Sequence, residues 1–152
     1  MKESFLPQVS EVTIAYHPKV KASNRPTVTS SRDAESILRT AWSADMELLE
    51  EFVVLLLNKA NKVIGLFRVS RGGTCGTVAD VKIIFAAAIK AMASGVILAH
   101  NHPSGNVQPS HADIDLTRKC RDGGKLLEIA VLDHLILSPE GGYYSFADEM
   151  ML

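Results

Sequence analysis

The hydrophobic positions of this chain fall into blocks whose period changes along its length. Residues 51–57, Glu-Phe-Val-Val-Leu-Leu-Leu, are apolar on both faces after the first position. Such a run predicts a central strand covered on both sides. Residues 63–69 form a second apolar run, joined to the first by Asn58-Lys59-Ala60-Asn61, which predicts a β-hairpin. Residues 96–100 predict another buried strand, residues 126–137 one or two more, and residues 143–146 a short last one. Helical spacing separates these runs. Ala34, Ile37, Leu38 and Ala41 share one face behind the N-cap candidates Ser30 and Ser31, predicting a helix to about Trp42, a packing anchor at its end. Residues 80–94 predict a helix whose Ala86, Ala87, Ala88, Ala91 and Ala93 allow close approach to a sheet, with Gly95 suited to stop it. A second core helix is expected from Ser110 to about Gly123, ended by Gly123-Gly124. Residues 9–16 alternate loosely and predict an edge strand. Residues 17–30, with Pro18 and Pro26, predict a surface connector. Residues 70–78, with Gly72, Gly73 and Gly76, predict a flexible turn with room for a short strand.

Strands interleaved with helices give an α/β class, a mixed central β-sheet flanked by helices. With 152 residues, the chain is one ordinary domain. We divide it into an N-terminal strand and connector, 1–30, and a single globular domain, 31–152. The share of hydrophobic residues, 47%, with 22% charged, excludes a disordered chain. A net charge of −1 gives no overall field toward phosphates. Cys75 and Cys120 make neither a zinc-ribbon spacing nor a disulfide framework, and read as free thiols in a reducing compartment. The N-terminus, with Lys2, Glu3 and Pro7, has no apolar run of signal-peptide type. The most apolar stretch, 83–99, contains Lys90 and Gly95 and reads as a buried helix and strand, not a membrane span. A cytoplasmic protein is expected.

The chemistry concentrates in residues 100–113, His-Asn-His-Pro-Ser-Gly-Asn-Val-Gln-Pro-Ser-His-Ala-Asp. On a strand, His100 and His102 project from the same side. On a helix starting at Ser110, Ser110 and Asp113 are neighbours on one face. Strand, tight loop and helix N-terminus therefore bring two imidazoles and a carboxylate together. That is a three-ligand set for Zn2+, with a fourth position left for water. Ser110 and Asp113 alone read equally as a helix cap, and the two readings are compatible. Asn101 points away from the metal and packs or hydrogen-bonds under the loop. Pro103, Ser104 and Gly105 shape the turn, and His111 is a solvated first-turn residue. For the pair Asp133-His134 two readings stay open: a buried strand histidine satisfied by backbone, or support for the metal ligands.

The spacing His-x-His, seven residues, Ser-x-x-Asp resembles the JAMM motif of the JAB1/MPN metalloprotease family. More narrowly, the chain resembles the bacterial RadC-like proteins. The shared stretches are Glu51-Phe52 with its strand, Asn58-Lys59-Ala60-Asn61, residues 97–105 and Val131-Leu132-Asp133-His134. The resemblance runs from about Arg32 to Phe146. It implies the JAB1/MPN, cytidine-deaminase-like fold and a zinc metallohydrolase, a peptidase or isopeptidase that cleaves an amide bond with metal-activated water. It assigns the metal to His100, His102 and Asp113, the general base to Glu51 and oxyanion stabilisation to Ser110. Only the Glu-Phe match favours Glu51 over Glu50.

The expected partner is a protein or peptide substrate. DNA enters by family association, because RadC-like proteins are linked by name to repair. Longer members carry an N-terminal helix-hairpin-helix segment for which these residues show no counterpart. Arg118, Lys119, Arg121 and Lys125 form one basic patch without interleaved aromatic residues. A third reading is a non-catalytic metal-binding interaction module; the intact ligand set argues against it.

Overall fold

A computed structural model describes residues 8–13, 15–43, 45–72 and 78–152. After a single 3-10 turn at Ala22–Asn24, the elements run α1 (Ser31–Ala41), β1 (Glu51–Leu57), β2 (Val63–Arg71), α2 (Val81–Lys90), β3 (Gly95–Asn101), α3 (His111–Leu127), β4 (Ala130–Leu137) and β5 (Tyr143–Ser145). They form a mixed five-stranded sheet of order β2-β1-β3-β4-β5. β1 and β2 make the expected hairpin. β1 also pairs antiparallel with β3, with Phe52 opposite His100. β3 and β4 are parallel because α3 carries the chain back across the sheet, as a parallel connection requires. β5 closes the edge antiparallel to β4.

Alternation along the two central strands divides the core. Phe52, Val54, Leu56, Val96 and Leu98 pack with Ile84, Phe85 and Ala88 of α2 and Cys120 of α3. Val53, Leu55, Leu57, Ile97 and Ala99 face the other way, toward Ala34 and Leu38 of α1. β1 and β3 are buried at every position, so helices cover both sides as the apolar run of β1 implies. The α1 cap is also as read: the Ser30 hydroxyl accepts from the Asp33 N–H, and Trp42 follows the last helical residue.

Several boundaries differ from the sequence reading. The described residues between 9 and 16 form no strand. Tyr16 is anchored instead by its hydroxyl, which donates to the Ile64 carbonyl. α2 stops at Lys90, with Met92 in the left-handed region at φ 56°. Gly95 therefore opens β3 and does not stop the helix; a Cβ there would meet Leu132 Cδ1 at 3.1 Å. α3 runs through Gly123-Gly124 and ends at Glu128, whose φ is 57° and whose N–H bonds back to Gly124 and Lys125. Gly124 permits a close crossing: a Cβ would lie 2.3 Å from the Ile129 carbonyl oxygen. Residues 126 and 127 thus belong to α3, and the stretch 126–137 holds one strand, β4. Ser70 and Arg71 finish β2, while the turn expected at 73–77, including Cys75, lies outside the described residues. The buried Cys120 is a free thiol, and burial pushes its pKa up to about 11. Among the described residues, no helix is long and apolar enough to cross a membrane.

Candidate metal centre

β3 ends at the point where the sheet, the following loop and the N-terminus of α3 meet. His100 is 2% exposed and its ring stacks on Phe52. His102 lies just past the strand, where its N–H donates to the Leu137 carbonyl at 3.0 Å. The loop then turns tightly: Gly105 donates to the His102 carbonyl at 2.9 Å and sits at φ 86°, a conformation that favours glycine. α3 opens with a reciprocal cap. Ser110 Oγ accepts from the Asp113 N–H at 3.1 Å, and Asp113 Oδ2 accepts from the Ser110 N–H at 2.8 Å. The cap aims the carboxylate at the histidines.

Three side chains converge there. The two imidazole Nε2 atoms are 3.0 Å apart. Asp113 Oδ1 is 3.2 Å from His100 Nε2, and Oδ2 is 3.4 Å from His102 Nε2. Ligands bound at about 2.0–2.1 Å in a tetrahedral zinc site stand about 3.3–3.4 Å from one another, so this spacing fits one shared ion. His102 Nδ1 is 2.6 Å from the Asn106 carbonyl oxygen. A carbonyl only accepts, so Nδ1 carries the proton and, in neutral His102, Nε2 keeps its lone pair for the cluster. Burial opposes the charge on Asp113, yet the two imidazoles and the Ser110 N–H outweigh it and hold the carboxyl well below the usual range. The same carboxylate raises the pKa of His102 against the opposing effect of burial. Both shifts share one cause, the contact between the Asp113 carboxylate and the imidazoles.

Glu50 completes the cluster. Its Oε1 is 3.9 Å from each Nε2, and Glu50, His100 and His102 form a group able to hold a metal ion. The Asp113 oxygens stand closer to the two nitrogens than Glu50 does, so the better triad is His100, His102 and Asp113, with the Glu50 carboxylate beside it.

Glu51, expected as the base, does not reach the cluster. Phe52 pairs with His100, paired residues share a face, and neighbours in a strand point to opposite faces. Glu50 thus falls on the histidine side and Glu51 on the other. Glu51 is buried, with Oε1 3.0 Å from Arg68 Nη1 and Oε2 without a hydrogen-bond partner among the described residues. Ser110 is exposed and caps α3.

Asn101 bears out its reading as a packing residue and does more. Its Nδ2 donates to the carbonyls of Met46 at 2.7 Å and Leu49 at 2.9 Å, and its Oδ1 accepts from the Glu51 N–H at 2.8 Å. It therefore clamps the segment carrying Glu50. Asp133 and His134 part company. The Asp133 carboxylate accepts from Ser145 Oγ at 2.6 Å, from the Ala147 N–H at 3.0 Å and from the His134 N–H at 2.7 Å; burial raises its pKa despite these bonds. His134 is fully buried against the His100 ring and is satisfied by side chains, not backbone: Nε2 meets His100 Nδ1 at 2.8 Å and Nδ1 meets Thr117 Oγ1 at 2.6 Å. His111 and His17 are exposed. A cleft of about 210 Å³ opens at the cluster, lined by Glu50, Phe52, Val78, Ala79, His100, Ala112, Asp113 and Leu116.

The family model described as the RadC-like JAB domain matches residues 28–151. The chain belongs to this family. RadC-like relatives include UPF0758 proteins of Flavobacterium johnsoniae, 45% identical over 80% of this chain and 52% of the relative, and of Porphyromonas gingivalis, 43% identical over 89% of this chain and 59% of the relative. A third, from Thermosynechococcus vestitus, is 39% identical over 82% of this chain and 50% of its own length. The chain spans about half the length of the curated relatives it matches. The RadC-like JAB fold accounts for the mixed sheet with its three helices, and this member carries residues fit to hold a metal ion.

Proposed function

We propose that this RadC-like JAB domain is a zinc-dependent hydrolase that cleaves an amide or isopeptide bond in a protein or peptide. The observation that carries the reading is the convergence of His100 Nε2, His102 Nε2 and the Asp113 carboxylate within 3.0–3.4 Å, with Glu50 at 3.9 Å from both imidazoles. These three residues would hold a zinc ion, which would act there as a Lewis acid and make a water acidic enough to ionise near neutral pH. Two neutral imidazoles and one carboxylate leave the site a net charge near +1, which keeps it electrophilic. Glu50 takes the proton from the attacking water and delivers it to the leaving amine. Ser110 Oγ accepts from the Asp113 N–H, leaving its own O–H to donate to the oxyanion of the tetrahedral species. The substrate lies along the cleft of Val78, Ala79, Ala112 and Leu116, which gives it an apolar surface beside the cluster.

Action on DNA has weaker support. In the patch on α3, Arg118 is 3.5 Å from Asp115 and Arg121 2.9 Å from Asp122, which offsets two of its charges. Elemental analysis of the purified protein tests the metal reading. One zinc per chain, lost in Asp113→Ala, is expected. Equal zinc in both proteins, or none in either, removes Asp113 as a ligand or the site altogether. Incubation with amide and isopeptide substrates then tests the reaction, and a wild-type protein that holds zinc but cleaves none of them rejects it.

A further inference from the structure

We propose that Thr117 and His134 form a hydrogen-bond relay that holds His100 in the tautomer whose Nε2 lone pair faces the metal. Both are positioning residues, and the inference rests on the metal reading above.

The direction of the relay follows from counting protons. Thr117 Oγ1 lies 2.6 Å from the Asp113 carbonyl oxygen and 2.6 Å from His134 Nδ1. The hydroxyl has one proton, and a carbonyl can only accept. A proton placed elsewhere would leave two oxygen lone pairs facing each other at 2.6 Å, so Thr117 donates to Asp113. Its oxygen must then accept from His134, which puts the His134 proton on Nδ1. His134 is fully buried between Phe52 and Phe146. Among the described residues its ring nitrogens meet only Thr117 Oγ1 and His100 Nδ1, so a charge buried there would have no carboxylate to pair it. The ring is neutral, with one proton, and its bare Nε2 accepts from His100 Nδ1–H at 2.8 Å. His100 then presents a bare Nε2 to the cluster.

The chain of bonds runs from the backbone carbonyl of Asp113 through Thr117 and His134 to His100 Nδ1, and the bare His100 Nε2 then faces the Asp113 carboxylate, 3.2 Å away. One turn of α3 thus supplies both a metal ligand and the anchor of the relay that prepares a second ligand. Reversed, the relay would put a proton on His100 Nε2, aimed at Asp113 where the ion must bind. Partners of this kind set the tautomer and basicity of a ligating histidine, and losing one costs about 10–100-fold in metal affinity.

The test uses the full chain. Zinc affinity is measured by competition with a chromogenic chelator for the wild type, Thr117→Val and Thr117→Ser. The valine variant keeps the shape but loses the hydroxyl. The expected result is an affinity loss of about 10–100-fold in Thr117→Val and recovery to within a few-fold in Thr117→Ser. In parallel, side-chain 15N spectra of the metal-free wild type at mildly alkaline pH should show His100 and His134 protonated at Nδ1 and bare at Nε2. Equal affinities in the valine and serine variants, or a wild-type His100 protonated at Nε2, overturn the relay. Should Thr117→Val fail to fold, the wild-type spectrum decides alone. A wild type that binds no zinc rejects the metal reading, while the spectrum still decides the relay.

Discussion

Phe52 and His100 face each other across the β1–β3 pair with ring centroids 5.7 Å apart and planes 7° from parallel. This pairing sets the parity of β1, and with it which of two adjacent glutamates meets the histidines. Glu50→Gln should lower amide hydrolysis by about 100- to 10,000-fold, the usual range for a general base, with zinc content unchanged. Glu51→Gln should leave kcat within a few-fold, because its carboxylate faces Arg68. Steady-state kinetics with elemental analysis of both variants check this, and the opposite ranking would return the base to Glu51.

Ser110 caps α3, and on the proposed reading its hydroxyl also donates to the oxyanion. Ser110→Ala should cost about 0.5–2 kcal/mol of stability through the lost cap and lower kcat by about 100- to 1,000-fold through the lost oxyanion donor. Ser110→Asn separates the effects, because it restores the cap without the hydroxyl. Denaturant melts and kcat, measured on the same preparations, read the two roles.

Asn101 holds three backbone groups of the segment that leads into β1, and it is fully buried. Asn101→Leu should destabilise by about 1–3 kcal/mol for each buried backbone group left unsatisfied. The clamp positions Glu50, so kcat should fall while zinc affinity changes little. Urea denaturation and chelator competition check the two halves.

Without metal, the cluster should imprint the stability curve. The His102 pKa is raised, chiefly by Asp113, so its contribution is fully present below about 6.5, the unfolded imidazole value, and is lost as pH rises through the raised value. The Asp113 pKa is depressed, the imidazoles and the Ser110 N–H outweighing burial. Its contribution is present above about 3.9 and is lost as pH falls toward the depressed value. Burial depresses the pKa of His134, so its contribution is lost as pH falls below about 6.5. Chelator-treated protein should therefore be most stable near that value and lose Tm on the alkaline side as His102 gives up its proton. Added zinc should abolish the alkaline loss, because the ion replaces the proton. Melting curves against pH with chelator and with zinc test it, and identical alkaline slopes would count against a metal at this cluster.

What could be read from the chain alone was local. The spacing of His100, His102, Ser110 and Asp113 is short enough that strand alternation, one tight loop and a helical turn bring them together. The apolar periods gave the hairpin and the buried strands for the same reason, since each depends on neighbours only a few positions away. Tertiary pairing decided the rest. Glu50 and Glu51 are indistinguishable until Phe52 is placed opposite His100, a contact between segments 48 residues apart. Thr117 and His134 join the site only because α3 returns the chain to lay β4 beside β3. Gly123 and Gly124 look like a helix stop in isolation, yet α3 continues through them, because what Gly124 answers is the nearness of the Ile129 carbonyl. Register, crossings and buried proton relays are relations between distant segments, and local pattern carries no measure of such distances.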